Sequence, residues 1–415
     1  MKKQAVKTGG RVLRALSVSF SQKCRKGARR AGVFLLCILL ILCLCSCWSQ
    51  RELNTLAIVL GTTLDVGDQP DTLTLTAQVV KASELGSGTT TKGNSSGGKA
   101  YVNVSYTDNS VLAAVRELTR MQNRRLYFAH NEVLIFSGEL AKKDIAEGLD
   151  VFMRDYETRM NVNLLISKGK ASEILDENVE LEKIPAIHIS RLMGNQKSNS
   201  ETVVVTLRDF AIATLSGSSA PVAPMVELYE SDGKKYAKLE GTAVFKKGKM
   251  IGELNKEQTR GILWVTNKAQ SGEKTVDTPW GQVTLEVLHS SSDLKPVKGE
   301  DGTIRMKLTI DVEGAIQGNE TTENMSIPEN VAMLKGKMKN DVRSDVEGAL
   351  VQARTLSADV FGFGEAIHRE YPEEWEKMKG NWDQEFPKIG MDVQINAELS
   401  SEGGLVKPVT PGGAQ

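Results

Sequence analysis

Beyond position 47 the chain has no cysteine. All five (Cys24, Cys37, Cys43, Cys45 and Cys47) fall within the first 47 of its 415 residues. The rest of the protein therefore has no disulfide framework, no thiol nucleophile and no cysteine metal site. Histidine is almost as scarce. The four (His130, His188, His289 and His368) lie far apart, and no two have the i, i+4 spacing of a helical metal site. Acidic residues are missing from the N-terminus, where none precedes Glu52. No internal repeat is visible.

What stands in their place is basic and then apolar. Ten Lys or Arg (Lys2, Lys3, Lys7, Arg11, Arg14, Lys23, Arg25, Lys26, Arg29, Arg30) precede an uncharged run from Ala31 to Leu44. This is the order of a secretory signal. The run is short of the ~20 apolar residues that span a bilayer comfortably. It closes on Leu44-Cys45-Ser46-Cys47, which resembles the bacterial lipobox: an aliphatic residue, two small ones, then the lipidated cysteine. Cys45 is the poorer acceptor because bulky Leu44 would stand directly before it. The expectation is a diacylglyceryl thioether on Cys47, with cleavage before it. Two acyl chains give stable anchoring, at about 0.8 kcal/mol per buried methylene.

Cleavage would leave 369 residues and remove ten of the 52 basic ones. That leaves 42 against 52 acidic residues, a net charge of about −10. An acidic body makes a poor nucleic-acid binder, because phosphate contacts need a basic surface. Apolar content of 40% and charged content of 25% are those of an ordinary globular protein.

Along this body the patterning predicts an α+β fold: two or three mixed domains with antiparallel-rich sheets, flanking helices and one long helix in the C-terminal block. Leu56–Val66 and Asp71–Lys81 read as a hairpin around the turn chemistry of Asp65–Pro70. Residues 83–100 are Gly, Ser and Thr rich and read as a mobile surface loop. Tyr101–Thr107 returns as a strand. A helix over 108–122, capped by Asp108 or Asn109, places Val111, Leu112, Val115 and Leu118 at helical spacing. Glu132–Phe136 and Asn161–Ser167 read as strands. A helix over 139–156 turns Leu140, Ile145, Leu149, Phe152 and Met153 inward, and Thr206 caps a short helix over 207–215. Residues 216–224 look like a linker or domain edge. In the second block, residues 236–245 and 249–253 are strands, and Asn255 caps a helix into Trp264. Residues 275–290 and 303–317 are strand-rich. A long helix opens at Pro328 and continues to about Asp359, a helix over 373–384 carries Trp375 and Trp382, and Met391–Leu399 alternates as a closing strand. The expected divisions are a signal at 1–46, an N-terminal domain at 47–230 and a C-terminal domain at 231–415.

Motifs of catalysis are thin. Gly93-Asn94-Ser95-Ser96-Gly97 matches the nucleophile elbow literally, yet lies in a low-complexity loop rather than between a strand and a helix. Gly362-Phe363-Gly364 begins like a dinucleotide loop but lacks the third glycine and the preceding strand. Glu373-Glu374 beside Pro372 reads as helix-dipole capping, and Trp375 and Trp382 as core anchors. His130 is a candidate core or hinge residue ahead of its strand. Arg116, Arg120 and Arg124 share a helix face, either solvated or in contact with anionic lipid or an acidic partner loop. The expectation is a protein that is not an enzyme, with no catalytic residue, metal or cofactor.

Four stretches, in order, carry a family resemblance. They are Cys47–Asn54 (CWSQRELN); Arg125–His130 (RLYFAH) with Met153–Arg159 (MRDYETR); Leu239–Phe245 (LEGTAVF) with Gly252–Leu254 and Thr259–Gly261; and Asp359–Gly364 (DVFGFG) with Tyr371–Trp375 and Trp382. Together they resemble the Ger(x)C family, the lipoprotein C subunit of spore germinant receptors in endospore-forming Gram-positive bacteria. Ser46 and Ala129 stand where the family commonly has Gly. The resemblance implies a lipid-anchored subunit on the outer face of the spore inner membrane, acting in germination with a multi-spanning A subunit and a transporter-like B subunit. It transfers one modified site, Cys47. The other classes weighed are a solute-binding lipoprotein of a transporter, which needs a cleft between two similar α/β lobes, and a wall-remodelling enzyme, which needs paired carboxylates or a His-bearing metal site.

Overall fold

Strands β1 (Leu56–Val66) and β2 (Leu73–Val80) form the antiparallel hairpin their alternation predicts. In its turn the Gly67 N–H donates to Thr72 O, and Asp71 takes φ +56°. The computed structural model describes residues 53–81, 84 and 99–400. The expected signal with Cys47, the Gly93–Gly97 motif and most of the 83–100 loop lie outside them.

β3 (Tyr101–Asp108), β4 (Arg125–Tyr127), β5 (Val133–Ser137), β6 (Asn163–Ser167), β7 (Val222–Ser231), β8 (Lys234–Lys246) and β9 (Lys249–Leu254) complete a nine-stranded sheet. Its order is β3-β2-β1-β5-β6-β7-β8-β9, with β4 beside β1. The flanks are antiparallel, but β1, β5, β6 and β7 run parallel. Parallel neighbours need crossover segments, and these cover both faces of the sheet. On β5, Leu134 and Phe136 enter one core while Val133 and Ile135 enter another, so all five residues are buried. The stretch read as a linker at 216–224 instead leads into β7. Gly217 turns the chain at φ +63°, and Ala223 and Met225 are core residues.

The helices hold to their caps. α1 (Val111–Met121) starts inside the expected 108–122, capped by Ser110 instead of Asp108 or Asn109. Asp108 ends β3 with its carboxylate on the Asn109 N–H, and Ser110 Oγ accepts from the Ala113 N–H at 3.2 Å. The helix expected over 139–156 is two, α2 (Gly138–Lys143) and α3 (Ala146–Arg154). They are broken where Asp144 caps Ala146 at 2.8 Å and Ile145 donates to Gly248 O. α4 (Pro185–Gly194) occupies a stretch with no predicted element. α5 (Leu207–Ser216) and α6 (Lys256–Val265) open on the expected caps Thr206 and Asn255, and each cap closes a capping box, with Asp209 and with Gln258.

A second, four-stranded sheet follows in the order β10 (Gly272–Thr278), β11 (Gly281–Lys298), β12 (Ile304–Asn319), β13 (Gly390–Ser400). Only the last pair is parallel. Along β12, buried Met306, Leu308, Ile310 and Val312 alternate with Arg305, Lys307, Asp311 and Glu313, which face solvent or lie near it. One face packs and the other is wet. The packed face meets the predicted long helix, α7 (Pro328–Thr355), with Pro328 in its first turn. Its 28 residues span about 42 Å. It ends short of Asp359, where Ser357 adopts φ +50°.

Where α6 meets α7, Gly261 has no Cβ because one would strike Asp345 O. The close approach lets Arg260 grip Asp345 through two bonds (Nε to Oδ2 2.7 Å, Nη2 to Oδ1 3.2 Å), and Trp264 Nε1 donates to Oδ2 at 3.4 Å. Both charged side chains are buried.

After α7 the DVFGFG stretch folds around Asp359. Its carboxylate accepts from the backbone N–H of Phe361, Gly362, Phe363 and Gly364 at 2.8–3.1 Å, opening α8 (Phe363–Glu370). Its carbonyl accepts from Ala220 N–H at 2.7 Å. The glycines serve this capping turn and not a phosphate: Gly362 takes φ +80° and Gly364 packs on Ser218 O and Trp375. The helix expected over 373–384 is α9 (Pro372–Met378) followed by separate short turns. Trp375 and Trp382 thus reach the core from different turns, with their rings 5.1 Å apart. The architecture is α+β with mixed sheets and one long C-terminal helix, the class the patterning predicts.

Candidate interaction surface

The sequence-predicted sites are scattered. His130 is exposed, its ring 5.9 Å from that of Tyr127; of the two expected roles, core or hinge, it does not take the core one, because the chain has left β4 and not yet entered β5. His188 Nδ1 meets buried Glu177 at 2.8 Å, His289 is exposed on β11, and His368 lies against Trp375. Among the described residues no group of three or more His, Cys, Asp or Glu is placed to hold a metal. Glu374, in the first turn of α9, is bound by Lys298 at 2.7 Å and Lys377 at 3.0 Å. Those two ammonium groups hold its carboxyl below the usual range. The arrangement is electrostatic support for a helix start and has no acid–base partner.

One surface feature gathers residues that the sequence singled out separately. A groove of about 860 Å³ runs between α1, β4 and the end of α3. Its floor is apolar: Val115, Leu126, Phe128, Val151 and Phe152, with the rings of Phe128 and Phe152 edge to face at 6.1 Å. Its walls come from the two stretches RLYFAH and MRDYETR. β4 fixes the first by pairing with β1. The second is fixed where α3 ends and Asp155 Oδ1 and Oδ2 accept from Glu157 N–H and Thr158 Oγ1.

The rim carries charge, most of it neutralised internally. Arg120 pairs with Glu117 (2.7 Å), Arg125 with Glu157 (3.0 Å) and Arg154 with Asp150 (2.6 Å). Arg116 lines the groove with no carboxylate in ion-pair range among the described residues. Of the arginine stripe on α1, then, the structure brings Arg116 and Arg120 to the groove. Arg124 lies beyond the helix, on an exposed turn.

Sequence reasoning placed Leu112 and Met153 inward, but they are 46% and 37% exposed. Val111 and Leu118 take the core side of α1 as expected, together with Ala114. With Tyr156, 78% exposed, and Met121, 62%, they give this region a concentration of large apolar side chains in contact with water. The available signal was an apolar set on α1 wider than one packed face needs. What the groove offers is an apolar hollow with a largely ion-paired rim, the character of a docking surface.

The chain was compared with known proteins. A family described as "Spore germination protein N-terminal domain" matches residues 49–228, and one described as "Spore germination B3/ GerAC like, C-terminal" matches residues 240–403. Spore germination protein YndF of Bacillus subtilis (strain 168) is 30% identical over 403 residues, covering 90% of this chain and 97% of that protein. Spore germination protein KC of the same organism is 27% identical over 407 residues, covering 92% and 98%. The crystal structure of the GerBC protein superposes with a TM-score of 0.54 at 19% identity, over 81% of this chain and 96% of that one. It shares the fold. The descriptions name germination and no reaction. With both halves matched in order and a relative of nearly equal length at this identity, the chain belongs to the GerAC-like family of spore germination proteins.

Proposed function

We propose that this protein is the lipid-anchored C subunit of a nutrient germinant receptor, held on the outer face of the spore inner membrane through Cys47 and acting by contact with membrane-spanning subunits. The observation that carries the reading is the continuity of the lipobox with the family match: Cys47 stands two residues before the matched region begins at 49. An anchor of this kind suits a body in which no helix among the described residues is long and apolar enough to cross a membrane. The anchor also raises the effective concentration of the body near membrane partners. No catalytic role enters the reading, and no nucleic-acid partner.

We read the mature chain as two modules, 47–230 and 231–415. Matches ending at 228 and resuming at 240 support this division. The division falls at the β7–β8 turn, where Asp232 and Gly233 take positive φ. On this reading the second module lends β8 and β9 to the first module's sheet. A solute-binding lipoprotein is the weaker reading, because it needs two similar lobes, and a doubly covered nine-stranded sheet is unlike a four-stranded one with a wet face.

Two experiments test the proposal. In fractionated cells, Cys47→Ala should abolish lipid labelling and processing; a variant that still matures with lipid removes Cys47 as the anchor. Deletion spores should ignore one receptor's nutrient yet germinate with a trigger that bypasses receptors. Failure with both triggers would move the protein downstream of the receptor.

A further inference from the structure

We infer that the α1–β4–α3 groove is the docking site for an amphipathic segment of a membrane protein, one that lays apolar side chains on the Phe128–Phe152 floor and sets a carboxylate against Arg116. This rests on the reading of the chain as a membrane-held receptor subunit.

Three observations choose this occupant. First, the apolar surface is concave. A bilayer is engaged by protruding apolar side chains ringed with free basic groups, whereas a hollow of about 860 Å³ with an apolar floor takes side chains inserted from a partner. Second, the charge pattern is specific. Three rim arginines are already neutralised by Glu117, Glu157 and Asp150, so the rim has little general attraction for an anionic surface. Arg116 alone on the groove lacks such a carboxylate among the described residues, and it sits beside Val115 and Leu112. An acidic residue flanking an apolar stripe complements that arrangement. Third, the place is right. β4, one wall of the groove, pairs with β1, and β1 begins at Leu56, nine residues after Cys47. Nine residues reach at most ~30 Å fully extended, so an anchored body keeps this end of its sheet close to the membrane surface.

The test is site-specific photocrosslinking in spores with the full, lipidated chain. Benzoylphenylalanine replaces Leu112, exposed at the groove, or Trp280, exposed on the β10–β11 turn outside it. Each crosslinked peptide is sequenced by mass spectrometry. The expected result is an adduct from position 112, and none from 280, to a segment of a membrane-spanning protein with apolar residues at helical spacing and a neighbouring Asp or Glu. Arg116→Glu should lower that adduct at least tenfold, and replacing the identified carboxylate with Lys should restore it. Adducts to lipid alone, to a second copy alone, or to a soluble protein overturn the inference, as does a yield indifferent to Arg116→Glu. Affinity purification of the same spores separates the two levels. If a membrane-spanning partner copurifies but position 112 captures none of it, the groove assignment fails and the receptor reading stands. If no membrane-spanning protein copurifies or crosslinks at either position, both fail.

Discussion

The two sheets solve burial differently. In the nine-stranded sheet the central parallel strands have helices on both faces, and β5 is buried at every residue. In the four-stranded sheet α7 covers one face, and β12 keeps the alternation of a half-wet strand. A position on the central strands of the first has no harmless side, whereas a position in the second has one. The chain tolerates change accordingly, and substitutions can test how sharp that difference is.

The largest effect is expected at the doubly covered centre. Phe136 is fully buried, and Phe136→Ala should lose about 3–5 kcal/mol of stability from lost transfer energy and the cavity left behind. The urea midpoint of the purified protein checks it; a loss under ~1 kcal/mol would mean that the two layers collapse freely onto the site.

Next comes the α6–α7 contact, which the second sheet needs for its dry face. Asp345→Ala leaves the Arg260 guanidinium buried without its partner and should cost about 3–5 kcal/mol. Arg260→Met with Asp345→Leu removes both charges and should recover most of the loss. A double variant as unstable as the single would show that the pair is held for geometry instead of charge.

The third prediction concerns pH. Burial pushes the Asp359 carboxyl from 3.8 up to about 6, against the pull of four backbone amides. The folded-state value lies above the unfolded one. The contribution is therefore fully present below about pH 4 and is lost as pH rises through about 6. A displacement of that size corresponds to roughly 3 kcal/mol. Wild type should lose stability relative to Asp359→Asn as pH rises from about 4 to about 6, and level off above about pH 7. A constant difference across that range would mean that the amides outweigh burial.

The smallest effect is expected on the wet face. Lys307→Ala on β12 should change stability by no more than ~0.5 kcal/mol. If it destabilises by more than ~1 kcal/mol, that face is covered by something, and the contrast between the sheets disappears.

The same contrast explains what the sequence made legible. Alternation of apolar and polar residues made β2, β12 and β13 stand out; on β12 and β13 the polar face is wet, whereas on β2 Thr76 and Gln78 are buried and hydrogen-bonded. Side-chain caps stood out too, because Thr206 and Asn255 satisfy helix amides in ways that leave a sequence trace. β5 and β6 were found as apolar runs, but their parallel order was not, since nothing local distinguishes a parallel partner. β7 was masked by the glycine- and proline-containing segment from which it emerges. α4 opens on Pro185 as α7 opens on Pro328, and neither has a side-chain cap, but the ten residues of α4 carry a far shorter apolar stripe than the 28 of α7. At the candidate surface, periodicity identified the apolar residues of α1 and α3 but not where the core ends. That limit is set by neighbouring elements, and Leu112 and Met153 fall just beyond it. Cys47 carries its signal entirely in local order, whereas the groove exists only once β4 has paired with β1.

The parallel partnership of β12 and β13 has a consequence for assembly. Arg305 pairs with Gly390 across an excursion that includes all of α7, α8 and α9. During synthesis, β10, β11 and β12 emerge well before the strand that closes them. Until residues 390–400 arrive, β12 presents an unpaired backbone edge of the kind that recruits foreign strands. Distant pairings of this type also slow folding, because a long loop must close before the contact forms. Any chain stopped between Asn319 and Gly390 would carry that open edge permanently, so the final strand acts as the seal on the C-terminal sheet.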